Sequence, residues 1–344
     1  MAFSQSALPV RFAHHNVFRF TSLTAKLIRQ NQRQQLATNC CHGGSHHTGL
    51  SRRDFVQSLL LLAIPMTSLS AQAAPRVESL QTASTSEPVS ALEQGVPAVL
   101  EGKAKLAVEQ ALRKAVDKTK CPVVLRLVFH DSGTYNIAAG NGGANASIQH
   151  ELERPENFGL KRGWKVIQQA MSNIQGTAAE GLVSQADMIA LVGAYAVGLC
   201  GGPLISVPVG RVDAQKADAT DRLPAEDFSA DRLKQAFRQQ GLSVQEFVAL
   251  GGAHTLGSKG FGDPLTFDNA YFTALLQKPW AAPNADSMAK MIGLPSDHVL
   301  PDDSDCKPVI QMYAADQKRF FKDFADAYVK LTMLGAQWQS VATI

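Results

Sequence analysis

The sequence predicts an all-α domain, and three observations lead to this fold class. Apolar residues recur with helical spacing along most of the chain after residue 99, and strand-like alternation of apolar and polar residues is almost absent. Ser184 and Ser243 are each followed three residues later by an acidic residue, a pattern that caps the start of a helix. Glycine then ends the apolar segments, as at Gly201 and Gly241.

The first part of the chain has the composition of a targeting sequence rather than of a folded domain. Residues 1–53 contain seven basic residues and no acidic one, which is typical of an organelle transit peptide. Arg52-Arg53 then precedes the apolar run 59–64, and Ala71-Gln72-Ala73 matches an A-x-A cleavage signal, as in a twin-arginine signal peptide. A membrane helix is the competing interpretation, but the run is too short to span a bilayer. Two signals in series predict delivery to the chloroplast thylakoid lumen.

These signals divide the chain into a transit peptide, a twin-arginine signal, a loose leader and one folded domain, predicted at residues 1–50, 51–73, 74–98 and 99–344. Of the 33 basic and 30 acidic residues, seven basic and one acidic lie before Ala74, which leaves the mature chain with a net charge of −3. The mature chain therefore has no basic surplus that would indicate nucleic acid or an anionic membrane as a partner. The mature chain also contains no predicted transmembrane anchor.

Cysteine usage excludes a disulfide framework and a zinc site. Three cysteines remain in the mature chain, Cys121, Cys200 and Cys306, and they lack CxxC or zinc-ligand spacing. A single disulfide among the three is compatible with the sequence.

The helices of the folded domain follow in order along the chain. The first begins near Val99 and is predicted to bury one stripe, formed by Leu100, Leu106, Ala107, Ala111, Leu112 and Val116. A second helix carries Arg126 and His130, and the glycine- and asparagine-rich residues 133–150 form a loop. Residues 210–227 are a second long loop. The remaining helices are expected at residues 159–174, 188–197, 229–240, 247–252, 268–276 and 309–334.

The apolar segment 125–133 is the first candidate site. Arg126 and His130 lie four residues apart and therefore share one face of the predicted helix, with Phe129 beside them. An imidazole that moves a proton and a guanidinium that stabilises developing charge suit the cleavage of a peroxide bond. The alternative is a structural Arg–His pair inside a helical core, and the spacing by itself does not separate the two.

His254 is the second candidate, within residues 248–257. The small residues around it leave room for a large flat partner close to the backbone. Asp297 follows in an apolar setting and is predicted to accept a hydrogen bond from the Nδ1 atom of His254, which would make Nε2 a stronger metal ligand. The alternative for His254 is a hydrogen-bonded core histidine.

Several motifs together resemble the plant-type, class I haem peroxidases, specifically their ascorbate-peroxidase-like group. The matching blocks occur in the family's order, at residues 125–134, 201–203, 210–213, 222–224, 248–257, 267–272, 294–297 and 313–316. The resemblance implies two helical lobes with a haem cleft between them, a distal lobe at about residues 99–200 and a proximal lobe at about residues 201–335.

The resemblance also implies a role for each matched residue. On the distal side, His130 is the acid–base catalyst, Arg126 the charge stabiliser, Phe129 an aromatic neighbour, and Asn157 the amide that orients His130. On the proximal side, His254 is the ligand of haem b and Asp297 is its partner. Thr255 and Asp268 match two ligands of a monovalent cation, a potassium ion.

One segment departs from the family. Between His254 and Phe267 the family carries a longer loop with an arginine and a tryptophan, and here the interval contains neither. Lys259 is its only basic residue. The resemblance therefore implies a haem peroxidase that reduces hydrogen peroxide with a small-molecule or protein electron donor other than ascorbate. The alternative is a non-catalytic binding protein with little or no haem, associated with a thylakoid membrane complex such as photosystem II.

Overall fold

The computed structural model describes residues 97–280 and 292–339, so the predicted targeting signals lie outside the described part of the chain. Within that part the protein is all-α, as predicted, and β structure is limited to isolated bridges such as Ala98–Val209. The α-helices are α1 Gly102–Ala115, α2 Cys121–Ser132, α3 Lys161–Ile174, α4 Gln185–Leu199, α5 Ala230–Gln240, α6 Val244–Gly251, α7 Ala270–Leu275, α8 Pro295–His298, α9 Cys306–Ala315 and α10 Gln317–Met333.

The predicted capping signals set the helix boundaries. Ser184 and Ser243 each accept a hydrogen bond from the backbone N–H three residues later, and the acidic residue there binds back, so both capping boxes are complete. Gly241 ends α5 in the left-handed conformation with φ of 92°, which a residue without Cβ adopts without strain. These local signals explain why helix positions could be predicted closely.

Several predicted helix boundaries differ from the structure. The helices expected at residues 188–197 and 247–252 each begin three residues earlier, at Gln185 and Val244. The first helix begins at Gly102 rather than near Val99, and Leu106, which was expected on the buried stripe, is 55% exposed. The single helix expected at residues 309–334 is broken at Asp316, which leaves helical geometry and caps α10 by accepting from the N–H of Arg319. The apolar periodicity continues across this break, and therefore it did not reveal the turn.

The helices form two groups by their contacts. In the first group α1 packs on α3, and α2 packs between α3 and α4. In the second group α6 packs on α5, α9 and α10, and α7 packs on α9. The last helix joins the groups, because α10 also contacts α2 and the hydroxyl of Tyr328 donates to the carbonyl of Ala190 in α4.

A buried ion pair fixes the junction of α4 with the end of α10. Asp187 and Arg211 are both 0% exposed, and Nη1 of Arg211 donates to Oδ1 of Asp187 at 2.8 Å. Asp187 also accepts from the backbone N–H of Gly210, and Nε of Arg211 donates to the carbonyl of Thr332. One carboxylate thus caps α4 and holds the loop that follows it.

None of the helices in the described residues is long and apolar enough to cross a membrane.

Candidate active site

The distal part of the site joins α2 to the loop before α3. Nδ1 of His130 lies 2.7 Å from Oδ1 of Asn157, and Nδ2 of Asn157 donates to the carbonyl of Glu151 at 2.9 Å. Because that donation assigns the amide orientation, Oδ1 of Asn157 is an acceptor and Nδ1 of His130 carries the hydrogen. The Nε2 atom of His130 is then the basic nitrogen.

The surroundings of His130 keep its ring uncharged. Burial lowers the pKa of His130 to about 4, and the positive charge of Arg126 lowers it in the same direction, against the opposing effect of the Asn157 hydrogen bond. His130 is therefore a free base at neutral pH. Phe129 lies edge-on to this ring at 6.1 Å between centroids and also packs against Phe237.

Arg126 does more than the sequence suggested. Its Nη1 atom donates to the carbonyl of Phe158 and its Nη2 atom to the carbonyl of Glu156, both at 2.8 Å. These two residues flank Asn157, so Arg126 holds the backbone that carries the partner of His130. A guanidinium has five N–H donors, and these two bonds leave the others free for a ligand.

The proximal part of the site joins His254 to the short helix α8. His254 lies in a 3₁₀ turn after α6, and its Nδ1 atom is 2.9 Å from Oδ1 of Asp297. The backbone N–H of Leu294 donates to Oδ2 of the same carboxylate at 2.8 Å. The start of α8 therefore orients Asp297, and the predicted His254–Asp297 hydrogen bond is present.

His254 and Asp297 each shift the pKa of the other against the effect of burial. Burial favours the neutral imidazole, but the carboxylate and its hydrogen bond outweigh burial and raise the pKa of His254. Burial likewise opposes ionisation of Asp297, yet His254 and the other donors lower the pKa of the carboxyl group. Asp297 is thus an anion that strengthens the electron donation of His254.

Tyr271 is a member of the proximal site to which sequence reasoning assigned no role. Its hydroxyl donates to Oδ1 of Asp297 at 2.9 Å, so one carboxylate oxygen serves both Tyr271 and His254. Its ring stands edge-on to the imidazole, 5.8 Å between centroids, and to Phe261 at 4.8 Å. The sequence signal was a phenol hydroxyl inside an apolar segment, which must find a buried acceptor.

The glycines before His254 serve core packing rather than access for a flat partner. A Cβ atom at Gly252 would lie 2.4 Å from the ring of Phe320, and one at Gly251 would lie 3.2 Å from the hydroxyl of Tyr271. Both positions face neighbouring aromatic rings of the core. At Gly251 and Gly252, close packing of the core therefore explains the small residue.

The candidate cation ligands Thr255 and Asp268 bind each other. The hydroxyl of Thr255 donates to Oδ1 of Asp268 at 2.8 Å, and the backbone N–H of Ala270 donates to the same oxygen at 3.0 Å. In the loop between them, the N–H of Gly257 donates to the carbonyl of Pro264. Both side chains are brought together as expected, with their polar atoms hydrogen-bonded to protein groups.

The donor set at the two histidines fits a haem group. The side chain of His254 is 38% exposed, and no group in residues 97–280 or 292–339 hydrogen-bonds its Nε2 atom. A ring with Nδ1 bound to a carboxylate and Nε2 free is the form in which histidine ligates haem iron. Burial lowers the pKa of Arg126, and the carboxylate of Glu226 opposes that shift. At His254 the same carboxylate adds to the effect of Asp297, and together they raise the pKa of the imidazole against burial. No motif had indicated Glu226.

Comparisons with known proteins agree with this geometry. The family model described as Peroxidase matches residues 104–316. The chain is 50% identical over 230 residues to Putative L-ascorbate peroxidase 6 of Arabidopsis thaliana, an alignment that covers 67% of this chain and 68% of the relative. It is 35% identical over 246 residues to cytosolic L-ascorbate peroxidase 1 of Oryza sativa subsp. japonica, covering 67% and 93%. The chain therefore belongs to the peroxidase family, in its plant class I, ascorbate-peroxidase-like group.

Proposed function

We propose that this protein is an ascorbate-peroxidase-like haem peroxidase of the thylakoid lumen, which reduces hydrogen peroxide at the expense of a donor other than ascorbate. The single observation that carries the proposal is the pairing of each histidine with its own partner, His130 with Asn157 and His254 with Asp297. A core histidine has no need of both a free basic nitrogen and a second orienting group. Bound haem would supply the iron at which hydrogen peroxide is reduced.

On the distal side, His130 transfers a proton between the two oxygen atoms of hydrogen peroxide. Its Nε2 atom accepts a proton from hydrogen peroxide and returns it to the oxygen that leaves as water. Asn157 keeps Nδ1 protonated throughout, so the base stays at Nε2. Arg126 has two roles. It holds residues 156–158 in place through two hydrogen bonds. Its other N–H groups are available to stabilise a developing negative charge.

On the proximal side, His254 would hold the haem iron through Nε2. Asp297 fixes the tautomer and the ring orientation, and Tyr271 completes the hydrogen bonding of that carboxylate. A core of aromatic side chains lies behind the pair and limits rotation of the ring, since Tyr271 contacts both His254 and Phe261.

The reducing substrate is proposed to be something other than ascorbate. Lys259 is the only basic residue between His254 and Phe267, and a flexible ammonium lacks the planar fork with which arginine binds an oxyanion. Loss of one charge-assisted hydrogen bond costs about 1.5–3 kcal/mol, roughly tenfold or more in affinity. Ascorbate turnover is therefore expected to lie well below that of a relative with the full loop.

A non-catalytic peroxidase-fold protein that binds a thylakoid membrane complex, such as photosystem II, is the second candidate. Two observations favour it. Arg126 is engaged with backbone carbonyls, and Thr255 donates to Asp268, so these polar side chains have partners within the protein. The short interval between His254 and Phe267 would also leave haem propionates with few partners and weaken haem retention, because a buried charge needs a partner.

One experiment separates the two candidates. The protein is reconstituted with haem b, its absorption spectrum is recorded, and it is mixed with hydrogen peroxide in a stopped-flow instrument. In an active peroxidase, mixing with hydrogen peroxide changes the Soret band. Ascorbate then restores the original band only slowly. Failure to retain haem under conditions that load a cytosolic ascorbate peroxidase would support the non-catalytic candidate.

The location is tested separately. The precursor is imported into isolated chloroplasts, alongside a variant in which Arg52 and Arg53 are both changed to lysine. We expect the wild type to reach the lumen and to be cleaved after Ala73, and the variant to stop before the thylakoid. Equal accumulation of lumenal protein from both would contradict the twin-arginine route.

A further inference from the structure

Asp218 lies in the long loop at residues 210–227 and binds the loop that carries Asn157. Its backbone N–H donates to Oε1 of Glu151 at 2.8 Å, and its carbonyl accepts from Nη2 of Arg154 at 2.6 Å. Nη1 of Arg154 donates to Oε2 of Glu151 at 2.9 Å, which closes a ring of hydrogen bonds among the three residues. Asp218 therefore holds Glu151 and Arg154 together from outside their own segment.

The carboxylate of Asp218 fixes the position of these backbone groups. Its Oδ2 atom lies 2.6 Å from the hydroxyl of Thr134, and its two oxygens accept from Nδ2 of Asn145 at 3.3 and 3.4 Å. The Thr134 hydroxyl also lies 2.9 Å from the carbonyl of Asp131. It has a single hydrogen, and the shorter distance to a charged oxygen assigns that hydrogen to Asp218. The N–H of Gly143 donates to the same hydroxyl at 2.8 Å, so the Thr134 hydroxyl is bound on both sides.

Glu151 connects Asp218 to the distal histidine. The side chain of Glu151 is 2% exposed, and a buried carboxylate requires partners, here Arg154 and the N–H of Asp218. Because these partners fix Glu151, they also fix its carbonyl, which accepts from Nδ2 of Asn157 at 2.9 Å. That bond sets the orientation of the amide, which in turn keeps the hydrogen on Nδ1 of His130. Three hydrogen bonds thus link Asp218 to His130.

We propose that Asp218 is a positioning residue of the distal site, which holds Glu151 and Arg154 and thereby keeps Asn157 oriented toward His130. Asp218 acts on the histidine only through other residues. Its consequence for catalysis rests on the proposed function, whereas the hydrogen bonds themselves join groups of the protein alone. Without the Asp218 carboxylate, the backbone at this position loses its anchor at Thr134. Asn157 then turns more freely, and His130 populates both tautomers.

The alternative is that Asp218 only fastens two loops to each other, and a second hydrogen bond provides the control for it. Nη2 of Arg222 donates to Oδ1 of Asn141 at 3.1 Å and joins the same two loops. In the described part of the chain, neither of these side chains hydrogen-bonds Glu151 or Asn157. Asn141→Ala therefore removes a link between the loops without reaching the amide.

The test measures the tautomer of His130 in the full chain without added haem. Two-bond proton–nitrogen NMR correlations of isotope-labelled histidine distinguish Nδ1–H from Nε2–H at neutral pH, where the lowered pKa of His130 leaves the ring uncharged. His130→Gln identifies the signals. We expect Asp218→Ala to lower the ratio of Nδ1–H to Nε2–H by roughly two- to tenfold, the equivalent of one ordinary hydrogen bond. Asn141→Ala should keep the wild-type ratio.

A conservative variant completes the test. Asp218→Asn keeps the shape of the side chain without its charge, and its ratio should lie between those of the wild type and Asp218→Ala. It provides the measurement if Asp218→Ala does not fold. A wild-type ratio in every folded Asp218 variant, or an equal change in Asn141→Ala, would overturn the proposal.

The result is distinguishable from a failure of the proposed function. A shifted ratio in a protein that does not retain haem would contradict the peroxidase and support the role of Asp218. A wild-type ratio in Asp218→Ala, with an active haem-loaded wild type, would support the peroxidase and contradict the role of Asp218.

Discussion

His254 and Asp297, which are 43 positions apart in the chain, meet through a hydrogen bond of 2.9 Å between Nδ1 and Oδ1. The carboxylate is 4% exposed and the imidazole 38%, so the acceptor is enclosed while the ring keeps a free edge. This arrangement presents Nε2 of His254 as a ligand.

A variant without His254 should lose the side chain that is proposed to ligate the haem iron. His254→Ala is expected to abolish the ligand-dependent features of the haem spectrum after reconstitution. Asp297→Asn should keep haem but weaken its affinity by roughly 10–100-fold, the range seen when an outer partner of a metal ligand is lost. Haem titration followed by absorption measures both, with His150→Ala as the exposed control. A wild-type spectrum from His254→Ala would disprove the assignment.

Reaction with hydrogen peroxide should depend on neutral His130. His130→Gln is expected to slow the reaction by roughly 10²–10⁴-fold, because a positioned base is lost. Since the pKa of this ring is lowered to about 4, the wild-type rate should stay level as the pH falls and decline only near pH 4. Stopped-flow rates across pH test this expectation. A decline centred near 6.5, the ordinary value of histidine, would contradict it.

Tyr271→Phe should separate the hydrogen bond from the packing of the ring. Loss of the hydroxyl is expected to cost about 0.5–1.5 kcal/mol in free energy of unfolding and to alter the haem spectrum, because Asp297 loses a donor. Tyr313→Phe is the matched control, since its hydroxyl donates to Asp323 in another part of the fold. Urea unfolding and absorption should show comparable destabilisation in both variants and a spectral change only in Tyr271→Phe. Identical spectra would remove Tyr271 from the site.

Removal of one partner of the buried pair Asp187–Arg211 should destabilise the fold far more than removal of one partner of an exposed pair. Asp187→Ala is expected to reduce the free energy of unfolding by roughly 3–5 kcal/mol, because it leaves a buried guanidinium without its partner. Asp326→Ala breaks the pair with Lys322, whose side chains are 71% and 68% exposed, and should cost less than about 1 kcal/mol. Urea unfolding of the two variants measures the difference. Similar losses would show that the burial of Asp187 is not the source of its effect.

The helix positions were predictable because their signals are local. Ser184, Ser243 and Gly241 act on residues within one turn of themselves, so the chain around them reveals the boundary without knowledge of the fold. The break at Asp316 escaped prediction because its neighbours keep an apolar pattern on both sides. The residues of the candidate site were named because they occur in recognisable motifs.

The sequence by itself determined the fold class and most helices, and it indicated His130, Asn157, His254 and Asp297 as candidate site residues. Only the tertiary structure decided how the polar groups are paired: Arg126 with two backbone carbonyls, Thr255 with Asp268, and Tyr271 with Asp297. The physical reason is range. A cap or an apolar stripe acts within a few residues, whereas a buried polar atom must find its partner wherever packing brings one.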